Sequence, residues 1–337
     1  MPLENGQMTG PRQRPGVSVG PDRLRVRVDS IREEAEGIRS YVLVDPQGRP
    51  LPAFSAGAHI DLFLGSGLIR QYSLVGDAAA TTLSYQVAVL REDEGRGGSR
   101  QLHDTVKAGD VIEISAPRNS FPVHDEAKRH VFIAGGIGIT PILSMVRTLD
   151  RQGATWRLHY CVRSLRKAAF LDLLAGGSLA RHTMLYVDGG DPTKGLDTAK
   201  VVSAEKAEGT HLYCCGPPGL LNAVRRAAEG WPAETVHFES FGSPTRCGSA
   251  DSAFEIEIAS TGEIITVQPG ETILEALRRN GKYVPSICTQ GVCGTCVVDL
   301  LDGIAEHRDS VLFENERSRK IATCCSRALS PRLKLGL

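Results

Sequence analysis

Short runs of alternating apolar and polar residues fill the first third of this chain. Leu24-Arg-Val-Arg-Val28, Tyr41-Val-Leu-Val44, Leu83-Ser-Tyr-Gln-Val-Ala-Val89 and Val111-Ile-Glu-Ile114 each offer one face to a core and one to water. Turn residues separate them, as in Asp45-Pro-Gln-Gly48 and Ala108-Gly-Asp110, and no long helical period intervenes. The pattern predicts a closed or nearly closed antiparallel barrel over residues 22–124.

The period changes after that. His130-Val-Phe-Ile-Ala134 is a continuous apolar strand that runs through glycines into an amphipathic stretch, Ile142 to Leu149. Trp156-Arg-Leu-His-Tyr160, Met184-Leu-Tyr-Val187 and His211-Leu-Tyr-Cys214 continue the series, the last followed by a helical stretch from Leu220 to Ala228. Strands alternating with helices predict a parallel sheet covered on both faces over residues 125–242. A linker rich in Pro, Gly and Ser, residues 243–252, precedes the last unit, residues 253–337. There Phe254-Glu-Ile-Glu-Ile258 and Glu263-Ile-Ile-Thr-Val267 predict a hairpin turned at Thr261-Gly262. Glu271 to Arg279 predicts a short amphipathic helix stopped by Asn280-Gly281.

Composition narrows the function classes. In 337 residues, 39 basic and 39 acidic side chains cancel, so nothing in the charge points to nucleic acid or an anionic membrane. No apolar run approaches the ~20 residues of a membrane span. Residues 1–21, rich in Gly, Pro and Arg without a hydrophobic signal core, read as a disordered leader. The nine cysteines lack the spread of a secreted disulfide framework, and the cytoplasm is the expected compartment.

Chemistry concentrates in Cys288-Thr-Gln-Gly-Val-Cys293-Gly-Thr-Cys296, followed after 27 residues by Cys324. The pattern C-x4-C-x2-C…C is that of a plant-type [2Fe–2S] cluster, in which each of two irons takes two thiolates. Structural zinc sites instead show two separated short pairs, and no second pair answers this loop. Gly291 and Gly294 let backbone amides approach the sulfurs. Cys325 adjoins Cys324, and only one of the two is needed. Cys161 and Cys214, on apolar strands, read as small core residues.

Upstream, Gly136-Ile-Gly138 with Thr140 and Pro141 follows a strand and opens a helix. That is where a pyrophosphate meets backbone amides and the helix dipole, with Thr140 in reach of a ring or carboxamide. Cys215-Gly216-Pro-Pro-Gly219 ends another strand on the same predicted edge. In the barrel, Arg70-Gln-Tyr72-Ser73-Leu74 offers charge, ring contact and a polar edge, and the turn Arg96-Gly97-Gly98-Ser99 aims successive N–H groups at a phosphate. Together they suit a phosphorylated aromatic cofactor.

This ordered set resembles the phthalate dioxygenase reductase family, which includes vanillate demethylase reductases. The resemblance runs from about Asp22 to the C-terminus. It rests on the motifs above together with Gly95-Arg-Gly-Gly-Ser99, His237-Phe-Glu-Ser-Phe241, Glu306-His-Arg-Asp309 and Cys324-Cys-Ser-Arg327. It implies an FMN-binding barrel, an NAD-binding domain and a C-terminal β-grasp ferredoxin. Arg70, Tyr72, Ser73, Leu74, Gly97, Gly98 and Ser99 would hold FMN, and Gly136, Thr140, Cys215 and Gly216 would frame NADH. Ser73, Cys215 and Phe238 would face the reacting rings, with Phe238 as the aromatic residue next to the flavin. Cys288, Cys293, Cys296 and Cys324 would bind the cluster. The implied activity is that of a monomeric NADH-dependent reductase passing electrons to a terminal Rieske non-haem iron oxygenase in aromatic catabolism. Two departures stand out: Ile287 precedes the first ligand where relatives often carry Ser, and Arg163, Arg166 and Lys167 suit a 2′-phosphate, leaving NADPH open as the donor.

Overall fold

The computed structural model describes residues 23–64, 68–78, 82–95, 97–241, 251–286, 291, 294–309, 311–312 and 316–337. The first unit contains strands β1 (Arg23–Ala35), β2 (Ile38–Val44), β3 (His59–Phe63), β4 (Ile69–Ser73), β5 (Ser84–Leu90) and β6 (Val111–Ser115), with helix α1 (Gly98–Thr105) between the last two. The antiparallel sheet runs β4-β3-β6-β1-β2-β5. A bridge between Leu74 and Val87, with Val75 N–H donating to Gln86 O at 2.8 Å, brings its two edges together into a barrel. Alternation fills the interior: Val26, Val28, Leu43, Ile60, Leu62 and Val87 are all buried.

The strand pattern, which carries no long helical period, did not show the eight-residue helix α1. The helix buries only Gly98, Leu102 and His103, a contact too narrow to write a helical period into the sequence. The structure also extends β1 through residues 29–35, because its polar half pairs with β2.

The second unit alternates strictly: β7 (Arg129–Gly135), α2 (Ile139–Gln152), β8 (Trp156–Val162), α3 (Leu171–Leu174), β9 (Thr183–Val187), α4 (Thr198–Glu205), β10 (Thr210–Cys215), α5 (Pro218–Ala227) and β11 (Val236–Glu239). All strands are parallel, in the order β11-β10-β7-β8-β9. Helix α2 covers one face, and its core continues into the barrel through Ile38, Ala56, Val75, Ala88 and Phe121. Helices α4 and α5 cover the other face through Val202, Leu221 and Val224. The barrel is pinned to α2 by Ser144 Oγ donating to Gly76 O at 2.7 Å and by an Arg151–Asp77 ion pair at 2.9 Å.

The third unit comprises β12 (Phe254–Ile258), β13 (Ile264–Val267), α6 (Ile273–Arg279), β14 (Val297–Asp302), β15 (Ala305–Glu306), β16 (Lys320–Ala322), β17 (Arg327–Ala328) and β18 (Arg332–Gly336). Its main sheet runs β13-β12-β18-β14-β16, with β12 and β18 parallel, which is the β-grasp arrangement. A reciprocal capping box between Thr272 and Glu275 starts α6. Ile273 and Leu277 then pack onto Leu333 and Leu335. Among the described residues no helix is long and apolar enough to cross a membrane.

Candidate functional site

Strand β4 and the start of α1 lie far apart in sequence and meet in space. A Cβ placed on Gly98 would come within 2.5 Å of the Arg70 Cγ and Nε, so Arg70 lies across the first turn of α1 and only glycine fits beneath it. Gly97 precedes the helix at φ 80° with no side-chain cap, so the first-turn N–H groups are left to a ligand. Ser99 Oγ accepts from Glu92 N–H at 3.1 Å, which ties the turn to the exit of β5. A guanidinium beside an uncapped helix N-terminus is an anion site. Further along β4, burial holds the Tyr72 phenol protonated, well above the usual tyrosine range, against an opposing pull from Arg70. Ser73 is 3 % exposed and its Oγ has no hydrogen-bond partner, while the neighbouring Leu74 is fully buried. A buried hydroxyl without a partner is costly, and a polar edge of a bound ring would satisfy it. Arg96 lies outside the described residues.

The second half of the site is the switch point of the parallel sheet, where β7 and β10 are neighbours and the chain leaves them in opposite directions. Their ends are in register, Ala134 opposite Cys215. The two turns beyond pack backbone on backbone. A Cβ on Gly138 would collide with the Cys215 carbonyl oxygen, and one on Gly135 would lie 2.7 Å from Pro217 Cδ. Gly216 would place its Cβ 3.0 Å from the Gly135 Cα, and Gly136 adopts φ 55°. Thr140 is buried, and its Oγ1 donates to Ile137 O at 3.0 Å, so its proton is used within the turn; only its lone pairs remain for a ligand.

Cys215 is fully buried, and its thiol is pushed well above the usual range by burial, with Glu239 and Cys214 adding to the effect. It is therefore a neutral, polarizable surface rather than a nucleophile. It belongs to the same continuous core as Val75, two residues beyond Ser73, so the segment after β4 and the end of β10 both reach the core shared by the barrel and the α/β domain.

The structure corrects one expectation and adds one residue. Phe238 pairs with Cys214 and packs, with α5, on the opposite face of the sheet from Cys215, its ring 4.4 Å from the Arg225 guanidinium carbon. It does not lie beside Ser73 and Cys215. Strand alternation puts Glu239 there instead: it is the ladder partner of Cys215, its Oε2 is buried without a partner, and burial pushes its carboxyl up to about 8. Strand alternation alone was the signal: Glu239 follows Phe238 and so takes the opposite face of β11.

The third part is the cluster loop. Cys288 and Cys293 lie outside the described residues, as does Ile287. Cys296 and Cys324 are both buried at 2 % exposure. Gly291 N–H donates to Cys324 Sγ at 3.1 Å, the contact a metal-bound thiolate needs to offset its charge. Cys325 Sγ packs against the Cα side of Gly291, and among the described residues its contacts are long, 3.9 Å to Ala322 O and to Ser326 Oγ. The adjacent thiols are thus distinguished by the amide that only Cys324 receives.

The motifs Glu306–Asp309 and Cys324–Arg327, together with Asp251, which the sequence did not single out, hold this loop. Asp309 Oδ1 accepts from Val311 N–H at 3.1 Å and Leu312 N–H at 2.8 Å. Arg308 clamps Asp251 with bonds of 2.9 and 3.1 Å, and Arg327, 2 % exposed, donates to Ser252 O at 2.8 Å and to Glu271 O.

Comparisons with known proteins agree with this division. Residues 256–329 match the family described as 2Fe-2S iron-sulfur cluster binding domain, and residues 132–226 match the oxidoreductase NAD-binding domain. The reductase subunit of a tert-butanol monooxygenase / tert-amyl alcohol desaturase from Aquincola tertiaricarbonis is 43% identical over 325 residues, covering 93% of this chain and 96% of that protein. A phthalate dioxygenase reductase from Burkholderia cepacia is 41% identical over 315 residues, covering 93% and 97%. A solved phthalate dioxygenase reductase, described as a modular structure for electron transfer from pyridine nucleotides to [2Fe–2S], matches at a TM-score of 0.70 and 40% identity, covering 94% of this chain and 98% of that one.

Proposed function

Because the chain belongs to the phthalate dioxygenase reductase family, we propose that it draws electrons from NADH and delivers them through FMN and a [2Fe–2S] cluster to a separate oxygenase. The observation that carries the reading is the single core that the segment after β4 and the end of β10 both reach. It supports a reading in which a phosphate-and-ring site faces a dinucleotide switch point. Bound here, FMN would supply hydride acceptance from NADH, and with the cluster it would supply the conversion of that two-electron event into single-electron transfers.

The protein's own tasks are binding and alignment. Arg70 and the N-terminus of α1 hold the flavin phosphate, with Gly97 and Gly98 leaving room and Ser99 bracing the turn. Tyr72 and Leu74 flank the ring, and Ser73 bonds its polar edge. Gly136 and Gly216 let the dinucleotide approach the backbone, with Thr140 accepting a hydrogen bond. Cys215 supplies a neutral contact for the nicotinamide, and Glu239 orients it. Cys288, Cys293, Cys296 and Cys324 hold the cluster. The partner is a Rieske-type oxygenase, the reductase acts as a monomer, and both work in the cytoplasm.

Iron, sulfide and flavin analysis of the purified protein is the direct check. Cys293→Ser should abolish cytochrome c reduction through the cluster while sparing NADH-driven flavin bleaching. Intact cluster signals in that variant would remove Cys293 from the ligand set. Substrate oxidation by a reconstituted Rieske oxygenase, with NADPH compared against NADH, tests the partner and donor.

A further inference from the structure

Arg225, in the last turn of α5, is the most uncomfortable charge in the molecule. Neither of its terminal nitrogens is exposed to solvent and neither has a hydrogen-bond partner. Its one close contact among those described is the face of Phe238. Burial draws its proton affinity down to about 10. Neither of the two acidic groups in its field hydrogen-bonds it. Cys214 is buried with its thiol pushed far up by desolvation, hence uncharged at neutral pH. Asp309 already spends its oxygens on Val311, Leu312 and Ser326. Compensating the helix dipole is no reason for burial, because the exposed neighbour Arg226 does that from the surface.

An unpaired buried cation costs several kcal/mol in general and persists where another function retains it. The position of Arg225 suggests which. It lines a cavity of about 510 Å³ with Phe238 and Trp231 of its own domain, and the cavity's far wall is Val311 of the ferredoxin domain. Val311 touches the cluster loop: a Cβ on Gly294, between Cys293 and Cys296, would lie 3.3 Å from Val311 Cγ2. On the other side, Asp309 abuts Gly291, whose N–H bonds Cys324. Arg225 thus shares a cavity with Val311, which lies against Gly294, and lies in the field of Asp309, which abuts Gly291.

We propose that Arg225 is a positioning residue that answers the cluster's negative charge across the domain boundary and so raises the cluster's reduction potential. The inference rests on the cluster reading above. Four thiolates, two sulfides and two ferric ions carry two net negative charges, and one-electron reduction makes three. A fixed cation in a poorly screened setting favours the reduced form. The step itself is simple: one electron leaves the flavin that NADH has reduced and arrives at the cluster, with no bond made or broken.

The test uses the full-length protein with flavin and cluster bound, as wild type, Arg225→Met and Arg225→Lys. Arg225→Met should lower the cluster's midpoint potential and leave the flavin's in place. It should slow flavin-to-cluster transfer about tenfold in stopped flow without altering NADH-to-flavin reduction. Arg225→Lys should restore most of both. Removing an unpaired charge should not lower the melting temperature. An unmoved cluster potential in Arg225→Met, a lysine variant as impaired as the methionine one, or a marked fall in melting temperature would each overturn the proposal. Absence of iron and sulfide from the wild type would instead overturn the cluster reading beneath it.

Discussion

The two ends of the electron path are built on opposite plans. At the dinucleotide end, three strand termini distant in sequence converge, and polar atoms are left without partners: Ser73 Oγ and Glu239 Oε2 are both buried and unbonded. At the cluster end, one region of the chain ties its polar groups to one another, through Asp309 to two amides, Arg308 to Asp251 and Arg327 to three carbonyls. A site for ligands that come and go keeps unsatisfied groups, because the ligand completes them. A site for a resident cluster closes its network, because the loop must hold its shape at every turnover.

The strongest way to break the first plan is steric. Gly138→Ala drives a methyl into the Cys215 carbonyl, and backbone cannot yield cheaply. We expect a loss of roughly 3 kcal/mol or more in denaturation and no NADH-driven flavin reduction. The second plan breaks at its staple. Asp251→Ala removes the carboxylate shared by Arg308 and Arg327, leaving Glu306 to the first and three carbonyls to the second, and should cost about 1–2 kcal/mol. Cluster absorbance would then be lost early in a denaturant titration while flavin reduction by NADH survives; simultaneous loss of both would mean the plans are not independent.

Acid separates the two regions more gently. His237 is stacked between His124 and Tyr213, and burial, aided by the charge of His124, pulls its affinity down to about 4. Burial, aided by Arg118, does the same for His59, again to about 4, and burial also lowers His130 and His211. All four lie in the barrel and the α/β domain. Each binds its proton less readily folded than unfolded. Their contribution is therefore full above the unfolded value near 6.5 and is lost as pH falls from there toward 4. Melting followed by flavin release should fall steadily across that window; a flat profile would contradict the burial of this group.

The smallest effect on stability should be the most informative about the site. Ser73→Ala removes a hydroxyl that bonds nothing within the protein. Stability should stay within about 0.5 kcal/mol of wild type or rise slightly. Flavin reduction should slow about tenfold if the hydroxyl serves the ring. Loss of stability without loss of rate would make Ser73 a packing residue.

Some of this was legible in the chain. The three-part order and the strand–glycine–helix transitions depend on local pattern, and the structure follows them. Helix α1 was not, because Leu102 is its one large apolar core contact. Helix α4 has little more, with Val202 its one buried aliphatic residue. Phe238 was assigned to the wrong face because motif proximity says nothing of strand parity; Glu239 was the residue that alternation turned inward. Arg225 and Asp251 carry no motif at all.

By itself, then, the sequence determined which elements form and which residue types meet a cluster, since periodicity and ligand spacing act within one turn or one loop. Tertiary structure alone decided which thiol of Cys324 and Cys325 receives the Gly291 amide. It also decided which side chains share the switch point and where a charge is left unpaired. Those outcomes depend on the burial and partners of groups from distant segments, and burial is a property of the packed chain.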